Sequence, residues 1–504
     1  MTLNLTPAEV ADLAKENRVI PLIETLFSGT ETPVGLFQKL CGERAGTFLL
    51  ESADQGVWSR YSFIGVNSRG SLTKHVGEAA TWNGVGSPLP NTSATLPHDA
   101  LSSLSALIES WATPKLHNLP PLTSGLVGML GWDVIREIEH LPNKPKVDYR
   151  VPEMWFSMFS DLVIVDHQTS QLKLVANIFL DDSTTNIEAA YEDAKSRIAQ
   201  LLNGVKQPTI PFVTQQGIDS EPTVIPNQSH EQFLAAVAEA KEHVKRGDVF
   251  QVVLSQRFDQ ELDASPLDVY RALRALNPSP YMYLLHQSDD DGPYSIVGSS
   301  PEALVTVTDG NAVMHPIAGS RPRGGTIDAD LLNENSLVRD EKERAEHLML
   351  VDLARNDLLK VCFPDSIDVT EFMAVHRFSH IMHLVSTVEG RVRDGLSAVD
   401  VFRATFPAGT LSGAPKPRAL EIIDDLEPSS RGIFGGVVGY FDFAGSADLA
   451  IAIRTAFLRD GVARIQAGAG LVLDSDAESE YQETRTKAAA PARAVHAANG
   501  FGLV

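Results

Sequence analysis

Residues 435–473 read GGVVGYFDFAGSADLAIAIRTAFLRDGVARIQAGAGLVL. Three apolar runs, 435–443, 449–458 and 463–473, follow one another with only short turns bearing Gly and Asp between them. Runs bounded by such turn signals read as strands, and no helical pattern intervenes. The same style continues upstream at 248–258 (DVFQVVLSQRF), 295–300 (SIVGSS) and 303–308 (ALVTVT). It recurs earlier at 46–53 (GTFLLESA), 60–66 (RYSFIGV), 124–134 (SGLVGMLGWDV), 160–167 (SDLVIVDH) and 172–179 (LKLVANIF). Strand and helix do not alternate regularly. The sequence therefore predicts an α+β fold of large, mostly antiparallel sheets forming a composite two-domain sandwich flanked by helices, not a doubly wound fold.

Local signals place the helices. Thr6-Pro7-Ala8-Glu9 is a capping box with proline at the first helical position. The pattern over 184–204 predicts a helix closed by Gly204 as its C′ residue. Ser229 and Gln232 form a second capping box, and that helix is expected to stop near Gly247. Further helical patterns occupy 339–362, 397–406, 417–426 and 479–495. Between the first two long helices, residues 205–228 contain four prolines and no period, which marks a linker. The expected division is a domain over 1–204, the linker over 205–228 and a second domain over 229–504.

The 504 residues carry a net charge of −23 and are 43% hydrophobic and 21% charged, with a pI near 5.0. That balance argues against nucleic acid or an anionic membrane as partner, because either needs a basic face. Only Cys41 and Cys362 occur, with no metal-ligand spacing, which fits a reducing compartment. The N-terminus lacks the basic and apolar regions of a signal peptide, and no apolar run approaches the roughly 18 residues of a membrane span. A cytoplasmic location is the expectation.

Two helical patterns carry paired acids. Glu343 and Glu346 are three apart and share a helix face, as do Glu480 and Glu483, with Lys487 four further on. Each pair alone reads equally as a solvated acidic face. If the pairs converge, their like charges need a cation, and an all-oxygen site with spare positions suits Mg²⁺. Anion-binding parts accompany them. The loop HPIAGSRPRGG, 315–325, offers Gly319, Ser320, Arg321 and Arg323. Arg454 interrupts an apolar strand, where it serves either an anion or a buried ion pair. Gly468 and Gly470 flank Ala469 and permit close backbone approach, or mark a bulge. The phosphate loops of nucleotide sites are missing.

Ten motifs occur in one order: NPSPYMYLL, GSSPEALV, PIAGSRPRG, EHLMLVDLARNDL, MHLVSTVEG, FPAGTLSGAPKPRA, GGVVGY, AIRTA, QAGAGLVLDSDAESEYQET and TKAAA. This order closely resembles the chorismate-utilising enzymes, and within them the anthranilate synthase component I family. The match is dense from about residue 229 and sparser before it, at LLESA and RYSFIG. The resemblance implies a lyase of tryptophan biosynthesis that converts chorismate and ammonia to anthranilate and pyruvate with Mg²⁺. It implies that Glu346 and Glu483 ligate the metal and that Glu343 and Glu480 support it. Gly319, Ser320, Thr410, Phe434, Arg454, Gly468, Ala469, Gly470 and Lys487 would hold chorismate. Glu302 would act as general acid on the C4 hydroxyl, and His383 would assist pyruvate elimination. By themselves, Glu302 would read as a turn carboxylate and His383 as a core histidine.

Ala318 stands where the aminodeoxychorismate synthase relatives carry a nucleophilic lysine, so ammonia itself would be the nucleophile here. Relatives often have tyrosine where this chain has Phe434, which removes a hydroxyl contact. Cys41 and Cys362 have no amidotransferase surroundings, so the resemblance implies a separate glutamine amidotransferase subunit, component II, in a heterotetramer. Glu51, Ser52, Pro280, Tyr281 and Met282 resemble the family's site for feedback inhibition by L-tryptophan. A chain that kept this site without catalysis would be a tryptophan-binding regulator, which the presence of Glu302, Glu346, Glu483 and His383 opposes.

Overall fold

Two long strands, Tyr61–Lys74 and Met154–Asp166, pair antiparallel over most of their length and form a seam from which two sheets spread. The computed structural model describes residues 2–52, 60–114, 116, 119–209, 214, 221–377 and 381–501. Beyond one side of the seam lie Phe48–Glu51, Tyr281–Asp289, Gly292–Ser300, Thr455–Arg459, Val462–Leu471 and Gln251–Glu261 in that spatial order. Gln171–Phe179 and Val19–Phe27 close this sheet at its other end. The second sheet starts where Gly125–Leu130 pairs with residues 154–158. It continues through Val437–Asp442, Ala447–Ile451, Ala303–Thr308, Asn311–Met314 and Ile381–Arg391. Ile317–Pro322 and Asp368–Arg377 then pair with Ile381–Arg391.

Every ladder among the described residues is antiparallel, as the short turns require, since a parallel return needs a crossover of a dozen or more residues. Strands from before and after the 205–228 segment interleave in both sheets: Phe48–Glu51 binds Met282–Leu285, and Gly125–Leu130 binds Val437–Asp442. Of that segment, 210–213 and 215–220 lie outside the described residues. Both faces of the central strands are covered. Val437 and Phe441 enter one core cluster, and Val438 and Tyr440 enter another on the opposite face. Double burial explains why 435–443 reads as a nearly unbroken apolar run rather than an alternating one.

The caps form as the sequence predicts. Thr6 with Glu9 and Ser229 with Gln232 make complete capping boxes, and Gly247 ends the helix His230–Arg246 at φ +80°. Gly204 does not close its helix, which runs Ile187–Val205 with a right-handed cap at Lys206. A Cβ on Gly204 would stand 2.6 Å from Leu40 Cδ2, so this glycine serves close packing instead. The run 449–458 is two strands, Ala447–Ile451 and Thr455–Arg459, parted by Arg454 at φ +52°. The run 124–134 ends as a strand at Leu130 and passes into the 3₁₀ helix Trp132–Glu137. Helices Pro33–Leu40, Ala100–Ser110, Pro266–Leu276 and Ile327–Arg339 carry no signal recognised in the sequence.

The start of the second sheet depends on bare backbone at Gly128, which pairs with Phe156 on one side and Gly439 on the other. A Cβ on Gly128 would lie 1.9 Å from the Trp155 carbonyl oxygen and 2.7 Å from Phe156 Cα. Backbone of a central ladder cannot move aside as a side chain can. Gly128→Ala is therefore expected to cost about 1–3 kcal/mol or more, the range for overpacking, read as a lowered melting temperature. An unchanged melting temperature would show that the seam tolerates the extra carbon.

Candidate active site

One cavity of about 1040 Å³ opens between the two sheets' ends and the helices Glu341–Leu359 and Ala477–Asn499. Glu343, Glu346, Glu480, Glu483, Lys487, Arg454, Glu302, Thr410, His383, Phe434, Gly319, Ser320, Gly468 and Gly470 all line it. Residues separated by up to 185 positions, from Glu302 to Lys487, are thereby brought to one surface. Ala469 is not on the lining. It is fully buried, because successive residues of a strand face opposite ways.

Both acidic helices start on an aspartate cap. Asp340 accepts from the Lys342 and Glu343 amides, and Asp476 accepts from the Ser479 amide. The caps fix the first turns, where Glu343 and Glu480 stand. Burial raises the Glu346 carboxyl above its ordinary range, and repulsion from Glu343 and Glu483 adds to this. Burial likewise raises Glu480, with Glu483 repelling it. The two pairs therefore feel one another across the cavity. Lys487 relieves Glu483 at 2.7 Å and Arg321 approaches Glu343 at 3.3 Å. Among the described residues no three His, Cys, Asp or Glu side chains stand close enough to enclose a metal ion. The donor chemistry nevertheless fits Mg²⁺: all-oxygen carboxylates, mutually repelling, with room for the waters that this ion retains.

Arg454 occupies the left-handed region at φ +52°, a conformation that costs a non-glycine residue and tends to persist where function holds it. Its Nη1 donates to the Lys487 carbonyl at 2.6 Å. No ion pair to it exists among the described residues, and burial lowers its pKa against a pull from Glu483. The buried ion pair that the sequence left open is thus not formed, and the guanidinium is available to an anion. The break at Arg454 has a second effect. Thr455–Arg459 pairs with Val462–Leu471 only as far as Ile465, so the edge beyond is free on that side. Lys487 Nζ donates to the Gly468 carbonyl at 3.1 Å, which places that carbonyl on the free edge. By the two-residue period the Gly470 backbone shares it, and the Ala469 backbone points to the ladder with Leu254.

Gly319 lies at φ +68° in a bulge between Ala318 and Ser320. A Cβ there would meet Glu343 Oε2 at 3.1 Å, so glycine lets the loop touch the acidic helix. The Gly319 carbonyl accepts from His383 Nδ1 at 2.9 Å. A carbonyl can only accept, so Nδ1 carries the proton and Nε2 is the basic nitrogen. Burial lowers the His383 pKa, opposed by that hydrogen bond and by Glu343. Thr410 Oγ1 donates to Glu302 Oε1 at 3.3 Å. Burial pushes Glu302 up to about 7, with the Thr410 bond and the Lys487 charge pulling it back. Ala318 is on the lining and presents no amine. Arg321 and Arg323 are not on it. Arg321 pairs with Asp340 at 2.7 Å and Arg323 with Asp330 at 2.9 Å, so the loop's arginines fasten helix starts.

The sequence reading missed a polar relay behind the wall. Buried Arg431 pairs with Glu427 at 2.7 Å, donates to the Leu411 carbonyl at 2.7 Å, and lies 5.5 Å from the Phe434 ring centre. Glu427 accepts both the amide and the hydroxyl of Ser255, and Ser255 Oγ accepts from Gln466 Nε2 at 2.8 Å. Gln466 faces the cavity two residues before Gly468, a period-2 signal that was available in IQAGAG.

A second cavity of about 470 Å³ holds Glu51, Ser52, Pro280, Tyr281 and Met282 together with Tyr61, Phe63, Tyr440 and Asp448. Pro280, Pro301 and Ile317 line both cavities and form a common partition. Glu51 accepts from the Tyr270 hydroxyl at 2.5 Å and meets Arg274 at 3.4 Å. Ser52 Oγ is buried with no hydrogen-bond partner among the described residues.

Residues 47–493 match the family described as chorismate binding enzyme, and the chain belongs to that family. Relatives 40–51% identical to the chain are proteins named anthranilate synthase component 1. The one from Arthrobacter globiformis is 51% identical over 499 residues, covering 98% of this chain and 93% of that protein. The one from Mycobacterium tuberculosis H37Rv is 46% identical over 493 residues, covering 96% and 94%. A crystal structure of anthranilate synthase component I from Streptococcus pneumoniae superposes with a TM-score of 0.76 at 33% identity, covering 93% of this chain and 99% of that one. It shares the α+β architecture. No helix among the described residues is long and apolar enough to cross a membrane.

The raised pKa of Glu302 has a stability consequence. The folded chain keeps a proton there that the unfolded chain gives up near the usual 4.5, so stability falls as pH rises from about 4.5 through about 7. Glu302→Gln removes this dependence. Its melting-temperature gain over the parent is expected to be larger at pH 8 than at pH 5, and equal gains at both would refute the assignment.

Proposed function

We propose that the chain is the synthase component of an anthranilate synthase, converting chorismate and ammonia to anthranilate, pyruvate and water in tryptophan biosynthesis. The observation that carries this reading is the convergence of both acid pairs, Arg454 and Glu302 on one cavity. Arg454, Lys487 and the free edge at Gly468 and Gly470 supply cation and backbone donors for the carboxylates of chorismate. Gly319, Ser320 and Thr410 add polar contacts, and Phe434 contributes apolar packing. Mg²⁺, held by Glu346 and Glu483 with Glu343 and Glu480 supporting its waters, would neutralise and anchor the ring carboxylate.

Ammonia forms the new bond at C2 as the C4 hydroxyl departs. Hydroxide leaves poorly, and Glu302, poised near neutrality beside Thr410, supplies the proton that lets it depart as water. His383, with Nε2 as its basic nitrogen, serves the proton transfers of pyruvate elimination and aromatisation. With alanine at 318 no side-chain amine competes as nucleophile. Cys41 and Cys362 are both buried, and burial raises both thiols, which suits structural rather than glutaminase roles. Ammonia is therefore assigned to a separate glutamine amidotransferase, component II, in a cytoplasmic heterotetramer. Residues 1–204 form the regulatory part, 205–228 the linker and 229–504 the catalytic part. The second cavity takes L-tryptophan as feedback inhibitor.

The purified chain with chorismate, ammonium salt and Mg²⁺ is expected to generate anthranilate fluorescence, whereas glutamine is expected to do so only when the amidotransferase subunit is added. No fluorescence with ammonium would overturn the reading, and strong glutamine-dependent turnover by the chain alone would overturn its partner. Ser52→Phe removes an unpartnered hydroxyl and fills the second cavity, and is expected to raise the tryptophan concentration for half-inhibition at least about tenfold. An unaltered inhibition curve would remove Ser52 from the site.

A further inference from the structure

A third cavity, of about 40 Å³, adjoins the largest one and shares Glu302 and Thr410 with its wall. Most of its lining is apolar, and its polar side chains are Glu302, Thr410, His315 and Asp357. That volume and those groups suit a bound water, which needs room and several polar partners. Asp357 is already occupied: it is 3% exposed and pairs with Lys416 at 2.6 Å and Lys360 at 3.0 Å. Thr410 donates to Glu302. That leaves His315 as the side chain on this lining that can exchange protons with Glu302 near neutral pH.

His315 joins the strands Asn311–Met314 and Ile317–Pro322 and lines the second cavity as well. Its Nδ1 lies 3.2 Å from the Thr387 hydroxyl, which belongs to the lining of the second cavity and not of the small one. The ring therefore stands in the wall between the two. Burial lowers its pKa, the Glu371 and Glu389 carboxylates favour its protonated form, and His376 disfavours it. A ring lowered in this way gives up a proton readily. Glu302 needs such a partner, because each turnover sends its proton to the departing C4 hydroxyl while the amine at C2 sheds one into the larger cavity. The carboxylate left at 302 must regain a proton before the next chorismate is processed. The larger cavity holds products at that moment, and the small chamber offers a second approach to the same side chain.

We propose that this chamber carries the returning proton: His315 gives it to an intervening water, which passes one of its own to the Glu302 carboxylate. One O–H bond of the water forms as another breaks, Glu302 ends as the acid, and His315 recovers a proton from solvent on the side of the second cavity. The inference rests on the reading of Glu302 as general acid in anthranilate formation. His315 is not on the lining of the larger cavity and acts only through Glu302.

The test is turnover of the full-length chain with chorismate, ammonium and Mg²⁺, in steady state and by rapid mixing. In His315→Ala, kcat is expected to fall about tenfold or more, less than the ~100-fold or greater loss typical of removing the acid itself. Glu302 starts its first turnover already protonated, so kcat/KM for chorismate is expected to stay within about twofold and a burst of about one anthranilate per chain to precede the slow phase. Added imidazole is expected to restore kcat in His315→Ala. His315→Gln, whose amide fills the same space and keeps a partner for Thr387, is expected to be equally slow and to gain nothing from imidazole. A kcat equal to the parent's in both variants, a fall in kcat/KM that matches the fall in kcat, or a slow phase that imidazole leaves unaltered in His315→Ala overturns the relay and leaves the synthase reading in place. A parent chain that forms no anthranilate overturns the synthase reading and this inference with it.

Discussion

Arg454 holds a left-handed backbone in the middle of an apolar segment, and the larger cavity is built around that interruption. Had the chain stayed extended, Thr455–Arg459 and its predecessor would have been one strand and the sheet edge beyond Ile465 would have been paired. Instead the edge carrying Gly468 and Gly470 is open, Lys487 reaches its carbonyl, and the guanidinium of Arg454 is tied to the backbone of the same C-terminal helix. One conformationally expensive residue thus couples a sheet edge, a helix and a buried positive charge.

Around that point the electrostatics are arranged by shortage. Four glutamates share the lining, and the nearest cations are partly committed, Lys487 to Glu483 and Arg321 to Asp340 as well as Glu343. Glu302 lies deeper, where burial outweighs the charge of Lys487 and holds it near neutrality. The same side chain type therefore serves two purposes: accumulated negative charge at the helices, and a retained proton by Thr410. Behind the wall, the Arg431–Glu427 pair engages the Leu411 carbonyl and Ser255, and Ser255 Oγ in turn accepts from Gln466 Nε2, so the turn bearing Thr410 rests on a buried support.

What the sequence disclosed follows the range of the forces involved. Capping boxes at Thr6 and Ser229 are contacts between residues three apart, so their chemistry is complete in the local sequence. The antiparallel sheets were visible in the apolar runs and turns near 435–473. Gly204 was misread because its neighbour, Leu40, is remote in the chain. Arg321 and Arg323 looked like anion ligands because Asp340 and Asp330, which engage them, belong to helix starts whose position the loop does not announce. The helix Ile327–Arg339 escaped notice because it buries little beyond Leu337. The residues gathered at the cavity came from resemblance more than from spacing, since periodicity says which face a side chain takes but not which distant element it meets. Asp448 illustrates that gap: its surroundings exist only once its strand lies between Val437–Asp442 and Ala303–Thr308.

Pro280, Pro301 and Ile317 belong to both chambers. Two of the three are prolines, whose fixed φ leaves the partition little freedom to yield on one side without displacing the other. Thermodynamic linkage then makes any communication through it symmetric: whatever factor an occupant of the smaller chamber imposes on binding in the larger, the occupant of the larger must return. Filling the larger chamber at saturation would therefore weaken or strengthen the grip on the smaller one's guest in equal proportion, because one coupling free energy is shared by both occupants.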